Sequence, residues 1–175
     1  MLCLLKYDRI IYYVSCWHMN SFESDAMWNL YCGGKEGLAI ETTYNKLKNS
    51  LDNDSMQIGL VEYIDFEEGS GSVLMSKRKA FEHENEVRIL YGDYERRTEL
   101  QANREDIYEK LSQELPNGIS FEWDIEAVIE RIWVHPRATA MYFEVVEDVI
   151  LKFAPKLVSR LQWSEMKDIP SWLKS

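Results

Sequence analysis

The chain has 175 residues, a length typical of one compact domain. Acidic residues outnumber basic residues by 30 to 20, which gives a net charge of −10, and 46 % of the residues are hydrophobic. This composition indicates a globular protein and excludes a disordered one. No apolar run reaches about 18 residues, and the apolar part of residues 1–9 is short, so we expect neither a transmembrane helix nor a secretory signal.

The basic residues are too dispersed to hold a nucleic acid or an anionic membrane. The only tight basic cluster, residues 77–79, is followed directly by glutamates at positions 82, 84 and 86. Because binding to phosphate backbones needs a concentrated basic surface, we expect no non-specific nucleic-acid binding and no membrane binding. The alternative that a small anionic or nucleotide ligand binds at residues 77–79 stays open.

The cysteine content predicts reduced thiols. Cys3, Cys16 and Cys32 are an odd number in a chain without a predicted secretory signal, so we expect no disulfide framework and a cytoplasmic location. No CxxC pair is present and the three histidines are widely separated. The sequence therefore offers no zinc-ligand spacing, and we expect no metal.

The first predicted elements are a strand and a helix. Residues 10–17 (IIYYVSCW) are β-branched and aromatic, which favours a buried strand. We expect a helix to follow, capped by a serine or asparagine within residues 20–24 and ended by Gly33.

The remaining elements follow from the same patterns of apolar spacing, capping residues and turn residues. Further strands are predicted at residues 38–42, 57–64, 86–91 and 132–134. Further helices are predicted at residues 44–51, 103–115, 125–131 and 139–153, with a loop at residues 65–72. In the strand at 86–91, alternation places Val87 and Ile89 on one face and Glu86 and Arg88 on the other.

The order of these elements predicts the fold class. Strands and helices interleave without a regular βαβ repeat, so we expect a single α+β domain with a mixed or mainly antiparallel sheet of about five or six strands flanked by helices. The amphipathic helix at 139–153 is expected to pack one apolar face on the sheet. A Rossmann fold is disfavoured because no glycine-rich turn follows the first strand.

Four sequence blocks are similar to a known family. They are the block around ES-x-AMW-x-LY at residues 23–31, IGLVEYIDF at 58–66, KRK-x-FEHE-x-E-x-R at 77–88 and IERIWVHPRA at 129–138. From about residue 16 onward the chain resembles the bacterial domain of unknown function 2971 family. Members of that family normally begin with a further segment of several dozen residues, so the resemblance implies a chain without its N-terminal segment. Families of this kind often occur in mobile-element or phage-defence settings.

Glu84 and Glu86 are the candidate catalytic residues. Their spacing resembles the Glu-x-Glu signature of ADP-ribosyltransferase-like enzymes, in which one carboxylate holds the nicotinamide ribose and stabilises the positive charge that develops on the sugar. This resemblance implies NAD as the bound nucleotide. It also implies Thr42, at the end of an upstream strand, as a ligand-binding residue. Alternating acidic residues at a strand also fit a solvated face, and that alternative stays open.

Basic and aromatic residues complete the candidate site. Lys77, Arg78 and Arg88 could hold a pyrophosphate, or they could form ion pairs with the neighbouring glutamates. Trp17 and His18 could stack on a planar ring and hydrogen-bond it.

The sequence predicts that these residues line one concave face. In the alternative, the segment with Trp17 lies far from residues 77–88. Glu86 then pairs with a surface cation, and Trp17 is buried in the core. A weaker option makes Cys16 a nucleophile with His18 as its base.

Two functions follow from this interpretation. The first is an ADP-ribosyltransferase-like NAD-binding domain, incomplete at its N-terminus and inactive alone. The second is a non-catalytic binding module whose exposed sheet edge pairs with another chain, including a second copy of this one.

Overall fold

A computed structural model describes residues 10–51, 54–65, 72–102, 116 and 118–167 of the chain. They form an α+β domain with mainly antiparallel sheets, which confirms the predicted fold class. The described residues pack as two compact units. The first unit contains the residues up to Met19 and those from 51 to 122, and the second contains residues 20–50 and those from Trp123 onward. No helix in the described part of the chain is long and apolar enough to cross a membrane.

The first unit is built on a three-stranded antiparallel sheet. Its strands are β1 (Tyr12–His18), β3 (Met56–Leu60) and β6 (Glu86–Gly92), in the order β1-β6-β3. Trp17 lies opposite Val87 in one pair and Ile58 opposite Ile89 in the other. The β-branched residues of the central strand are buried, which is why β6 anchors the unit.

A second, smaller ribbon flanks this sheet. The strand predicted at 57–64 breaks at Val61, whose N–H donates to the Glu86 carbonyl at 2.9 Å. Beyond the break, β4 (Glu62–Ile64) pairs in parallel with β5 (Ser76–Arg78). A 3₁₀ helix, Lys79–Glu84, then leads into β6, and helix α3 (Tyr94–Ala102) follows that strand.

The second unit contains the other sheet and four helices. Strand β7 (Arg131–Val134) pairs antiparallel with β2 (Leu38–Glu41) and parallel with β8 (Leu161–Trp163). The α-helices are α1 (Asp25–Cys32), α2 (Tyr44–Asn49), α4 (Ile125–Val128) and α5 (Ala140–Phe153), and 3₁₀ turns cover Pro155–Arg160 and Glu165–Lys167.

Side chains cap each of these α-helices at the N-terminus. The capping residues are Ser24 for α1, Thr43 for α2, Asp124 for α4 and Thr139 for α5. Each accepts a hydrogen bond from a backbone N–H that has no partner within its helix. Gly33 ends α1 in the left-handed conformation, with a φ of 56° that only glycine adopts without strain.

Helix α5 supplies the core of the second unit. Val146 is buried in one cluster with Ile132 and Val134 of β7 and with Leu157 and Leu161. The prediction that this helix packs an apolar face on the sheet is therefore confirmed.

Several expectations differ from the structure. The described strands form three small sheets instead of one sheet of five or six strands. The break at Val61 accounts for one of these divisions, because it separates β4 from β3. Ile10 and Ile11 are helical, so the first strand begins at Tyr12. Strands β5 and β8 were not predicted, because each has only three residues. The predicted helix at 103–115 and most of the predicted loop at 65–72 lie outside the described residues.

Candidate functional site

Four charged side chains converge beside the start of β6. Lys77 Nζ lies 2.6 Å from Glu84 Oε2 and 3.4 Å from Glu86 Oε2. Arg88 binds Glu86 in a two-pronged arrangement, with Nε 2.7 Å from Oε1 and Nη2 3.1 Å from Oε2. Both glutamates are buried, at 7 % and 4 % exposure. We call these four residues the Glu86 cluster.

The backbone around Asn85 brings the two glutamates together. Glu84 ends the 3₁₀ helix and Glu86 begins β6, so they are not two residues of one strand as the spacing had suggested. Asn85 between them has a φ of 38°, in the left-handed region that asparagine tolerates better than most residues. Met19 holds it in place, because the Met19 N–H donates to the Asn85 carbonyl at 2.9 Å.

Further hydrogen bonds fix the cluster in position. The Glu86 N–H donates to the Tyr63 hydroxyl oxygen at 2.8 Å, and Arg88 Nη1 donates to the Leu74 carbonyl at 2.6 Å. His18 Nδ1 donates to the Glu84 carbonyl at 2.6 Å. Tyr63 and Leu74 were not singled out from the sequence, because nothing local shows that they contact a segment more than ten residues away.

The charges of the cluster are mutually stabilising. Burial alone would raise the pKa of Glu86, but the hydrogen bonds from Arg88 and Cys16 and the charges of Arg88 and Lys77 outweigh it, so the pKa lies below its usual value. Burial lowers the pKa of Lys77, yet its contacts with both glutamates raise it overall. Glu86 is therefore a carboxylate and Lys77 an ammonium at neutral pH.

Cys16 does not fit the role of a nucleophile. Partial burial, a hydrogen bond to Glu86 and the charge of that carboxylate raise the pKa of Cys16 to about 11. Reactivity requires the thiolate, and a thiol with this pKa stays protonated at neutral pH. This raised pKa argues against the option of a Cys16–His18 nucleophilic pair. Instead, the thiol donates to Glu86 from an exposed position on β1.

Some of the predicted site residues, but not all of them, lie on one face of the sheet. Strand register places His18 opposite Glu86 and Trp17 opposite Val87. Since successive side chains of a strand point to opposite faces, Trp17 lies on the other face of the sheet from His18 and Glu86. The expectation that Trp17 and His18 line one face together is corrected for that reason.

Lys77 and Arg88 follow the ion-pair alternative, because both contact Glu86. Arg78 follows Lys77 in β5, so it points to the opposite side of that short strand and is exposed.

Thr42 belongs to the second unit, where its hydroxyl donates to the Val128 carbonyl at 2.7 Å. This bond ties the end of β2 to the end of α4.

The second unit contains a polar centre that the sequence interpretation missed. Glu23 directly precedes Ser24, the capping residue of α1, and accepts three hydrogen bonds. Its Oε2 accepts from Trp28 Nε1 at 2.9 Å and from Ser164 Oγ at 2.6 Å, and its Oε1 accepts from the Glu165 N–H at 2.6 Å. The only sequence signal was the position of an acid directly before a capping serine. Glu23 thus links α1 to the end of β8.

His135 is the most deeply buried polar side chain of this unit, at 1 % exposure. Its Nδ1 accepts from the Arg137 N–H at 3.0 Å, and the ring packs edge-on against Trp28. Its Nε2 has no hydrogen-bond partner in the described part of the chain. Burial, with the nearby charge of Arg137, lowers the pKa of His135, so the ring is neutral at physiological pH.

Comparisons with known proteins leave the site to be interpreted from its chemistry. No family model, no curated protein and no solved structure matches the chain. The resemblance to the domain of unknown function 2971 family therefore stays a prediction. Among the described residues, no group of three or more histidine, cysteine and acidic side chains is arranged to hold a metal ion.

Proposed function

We propose that the first unit is an NAD-binding, ADP-ribosyltransferase-like domain in which Glu86 contacts the nicotinamide ribose. The observation that carries this proposal is a buried carboxylate, Glu86, that is held by two cations and hydrogen-bonds the exposed Cys16 thiol. A thiol is a weak hydrogen-bond donor, so a ribose hydroxyl approaching past Cys16 would replace it with a stronger one.

The chemistry of the cluster suits this role. When the bond between nicotinamide and ribose breaks, positive charge develops on the sugar, and a fixed carboxylate stabilises that charge. Arg88 and Lys77 keep Glu86 ionised and hold its side chain in one orientation. Glu84 shares Lys77 with Glu86 and so acts as a positioning residue. His18 is exposed on the same face, and because its Nδ1 donates to the Glu84 carbonyl, its neutral ring can accept a hydrogen bond from a ligand hydroxyl at Nε2.

Calorimetric titration of the whole chain with NAD tests the proposal. We expect heat of binding for the wild type and its loss for Glu86→Gln. Glu82→Gln is the matched control, because Glu82 is an exposed acid on the neighbouring 3₁₀ helix, and it should bind like the wild type. Circular dichroism establishes that both variants are folded. The absence of heat for the wild type, or equal binding by folded Glu86→Gln, would refute an NAD site at Glu86.

A second function, a module that pairs through a sheet edge, is favoured by the geometry of β1. The Met19 N–H bonds the Asn85 carbonyl and the Ile11 carbonyl accepts from the Asp93 N–H, so the odd-numbered residues of β1 direct their backbone groups towards β6. The even-numbered residues direct theirs away from it. No described strand pairs with that side, and the seven residues of β1 carry no Lys, Arg, Asp, Glu or Pro to block it.

Replacement of Val14 tests this second function. Val14→Pro removes an outward N–H and no bond to β6, so edge pairing should be lost while the fold remains. Ser15→Pro is the contrasting variant, because it removes a bond to β6 and should destabilise the sheet. Sedimentation equilibrium measures the association. A wild type that stays monomeric, or unchanged association of Val14→Pro, would contradict pairing of a second copy at this edge.

We propose the cytosol as the location of the protein, because the free thiols of Cys16 and Cys32 fit a reducing compartment.

A further inference from the structure

Helix α5 carries an apolar stripe that the core does not use. Met141, Val145, Val149 and Phe153 are spaced by four residues along the helix. They are 74 %, 50 %, 51 % and 74 % exposed, respectively. Residues at this spacing form one continuous ridge on a helix. Single exposed apolar residues need no explanation, but a ridge along the whole helix marks a contact surface. We call these four residues the α5 stripe.

We propose that a second copy of this chain covers the α5 stripe, with the two α5 helices antiparallel. This inference is independent of the nucleotide site and of the edge of β1. Ridges of this type pack against each other at an inclined crossing, which needs small side chains at the centre and leaves room for long ones at the ends. The stripe has valines at its centre, with methionine and phenylalanine at its ends. Antiparallel packing places Val145 against Val149 of the second copy, and Met141 against its Phe153.

Charges beside the stripe favour the antiparallel orientation. Glu144, Asp148 and Lys152 follow one flank of the stripe at the same four-residue spacing. In the antiparallel pair, Glu144 of one copy and Lys152 of the other differ by two residues in axial position, about 3 Å, and this contact occurs twice. In a parallel pair, the two-fold axis runs along the helices and places this flank of the two copies on opposite sides of the interface, so Glu144 and Lys152 would not meet. Asp148 meets its own copy across the two-fold axis, so this one contact is repulsive.

The size of the stripe sets the expected affinity. Four side chains on one helix provide less than the roughly 800 Å² per partner of a standard stable interface. We therefore expect a reversible dimer with a dissociation constant in the micromolar range, which is about 1–100 μM.

Sedimentation equilibrium of the full chain, up to about 1 mM, tests the proposal. Val149→Glu should raise the dimer dissociation constant at least about tenfold, because it buries an unpaired carboxylate in the contact. Leu151→Glu is the matched control. Leu151 lies on the same helix with 48 % exposure, against 51 % for Val149, but off the stripe, so its variant should dimerise like the wild type.

Charge variants test the orientation while the four residues of the stripe stay unchanged. Because Lys152 Nζ also lies 5.1 Å from the centroid of the Phe153 ring, the double variant is the decisive one. Lys152→Glu should weaken the dimer, and Lys152→Glu combined with Glu144→Lys should restore it. Asp148→Asn should tighten it. The proposal is overturned by a wild type that stays monomeric, by equal weakening in Val149→Glu and Leu151→Glu, or by a double charge variant that fails to recover. Loss of the dimer in Val14→Pro with its retention in Val149→Glu would assign the contact to β1 instead.

Discussion

Removal of Lys77 should expose how strongly the Glu86 cluster depends on its ammonium group. Lys77→Met keeps an unbranched side chain of similar length but leaves two buried carboxylates with Arg88 as their only cation in the cluster. Loss of one partner from a buried ion pair costs about 3–5 kcal/mol. The side chain of Lys77 is 24 % exposed, against 8 % and 4 % for the two glutamates, so water offsets part of this loss. We expect the free energy of unfolding to fall by about 3 kcal/mol.

Lys79→Met is the matched control for this measurement. Lys79 is two residues away and pairs with Asp65, but both side chains are more than half exposed, at 54 % and 56 %. Exposed pairs contribute about 0–1 kcal/mol, so this variant should lose little. Urea unfolding followed by tryptophan fluorescence compares the two variants. The double variant Lys77→Met, Glu84→Gln should recover part of the loss, because the amide leaves no uncompensated charge.

The pH dependence adds an independent check. The pKa of Glu86 is lowered by folding, so its contribution to stability is present above the ordinary glutamate pKa and is lost as the pH falls through the lowered value. Protonation also removes the charge that Lys77 neutralises. The stability difference between wild type and Lys77→Met should therefore narrow as the pH falls below the ordinary glutamate pKa of about 4.5. Equal losses in the Lys77 and Lys79 variants, or a difference independent of pH, would refute the reasoning.

Three more predictions concern the backbone and the second unit. Asn85→Val should cost about 1–2 kcal/mol more than Asn85→Gly, because a β-branched residue is strained at a φ of 38°; equal unfolding midpoints in urea would contradict this. Folding lowers the pKa of His135, so its neutral ring makes its full contribution to the free energy of unfolding above the ordinary histidine pKa. That contribution should fall as the pH drops from 7 to 5. In His135→Asn this part of the pH dependence should disappear, and an unchanged profile in thermal melts would count against it. Glu23→Gln places an amide N–H₂ group against one of the three groups that donate to Glu23, so the free energy of unfolding should fall by about 1–3 kcal/mol. The control Glu36→Gln changes an exposed side chain and should leave the melting temperature unchanged.

Local signals explain what the sequence could predict. Ser24 caps α1 within the residues where a cap was expected, because capping depends only on the next three residues. The helix expected at 139–153 likewise begins directly after its capping residue, Thr139. The uncharged β-branched stretch likewise predicted β1, although its first two residues are helical. These features need no knowledge of distant contacts.

Long-range contacts explain what the sequence could not predict. The spacing of Glu84 and Glu86 suggested two residues on one strand, whereas a left-handed Asn85 and the reach of Lys77 bring them together. Asparagine at that position was the one available sign of such a turn. The separation of β4 from β3 occurs at Val61, whose N–H donates to the carbonyl of Glu86, a residue distant in the sequence.

The pairing of β1 with β6 has a consequence for synthesis of the protein on the ribosome. His18 pairs with Glu86, so 86 − 18 = 68 residues must be added before the first contact of this pair becomes available. At about 5–20 residues per second, this takes roughly 3–14 s. Throughout that interval the edge of β1 that pairs with β6 in the finished protein is also without its partner. An uncharged strand of this kind is a preferred template for wrong pairing, so the nascent chain should depend on chaperones that bind extended apolar segments until β6 emerges.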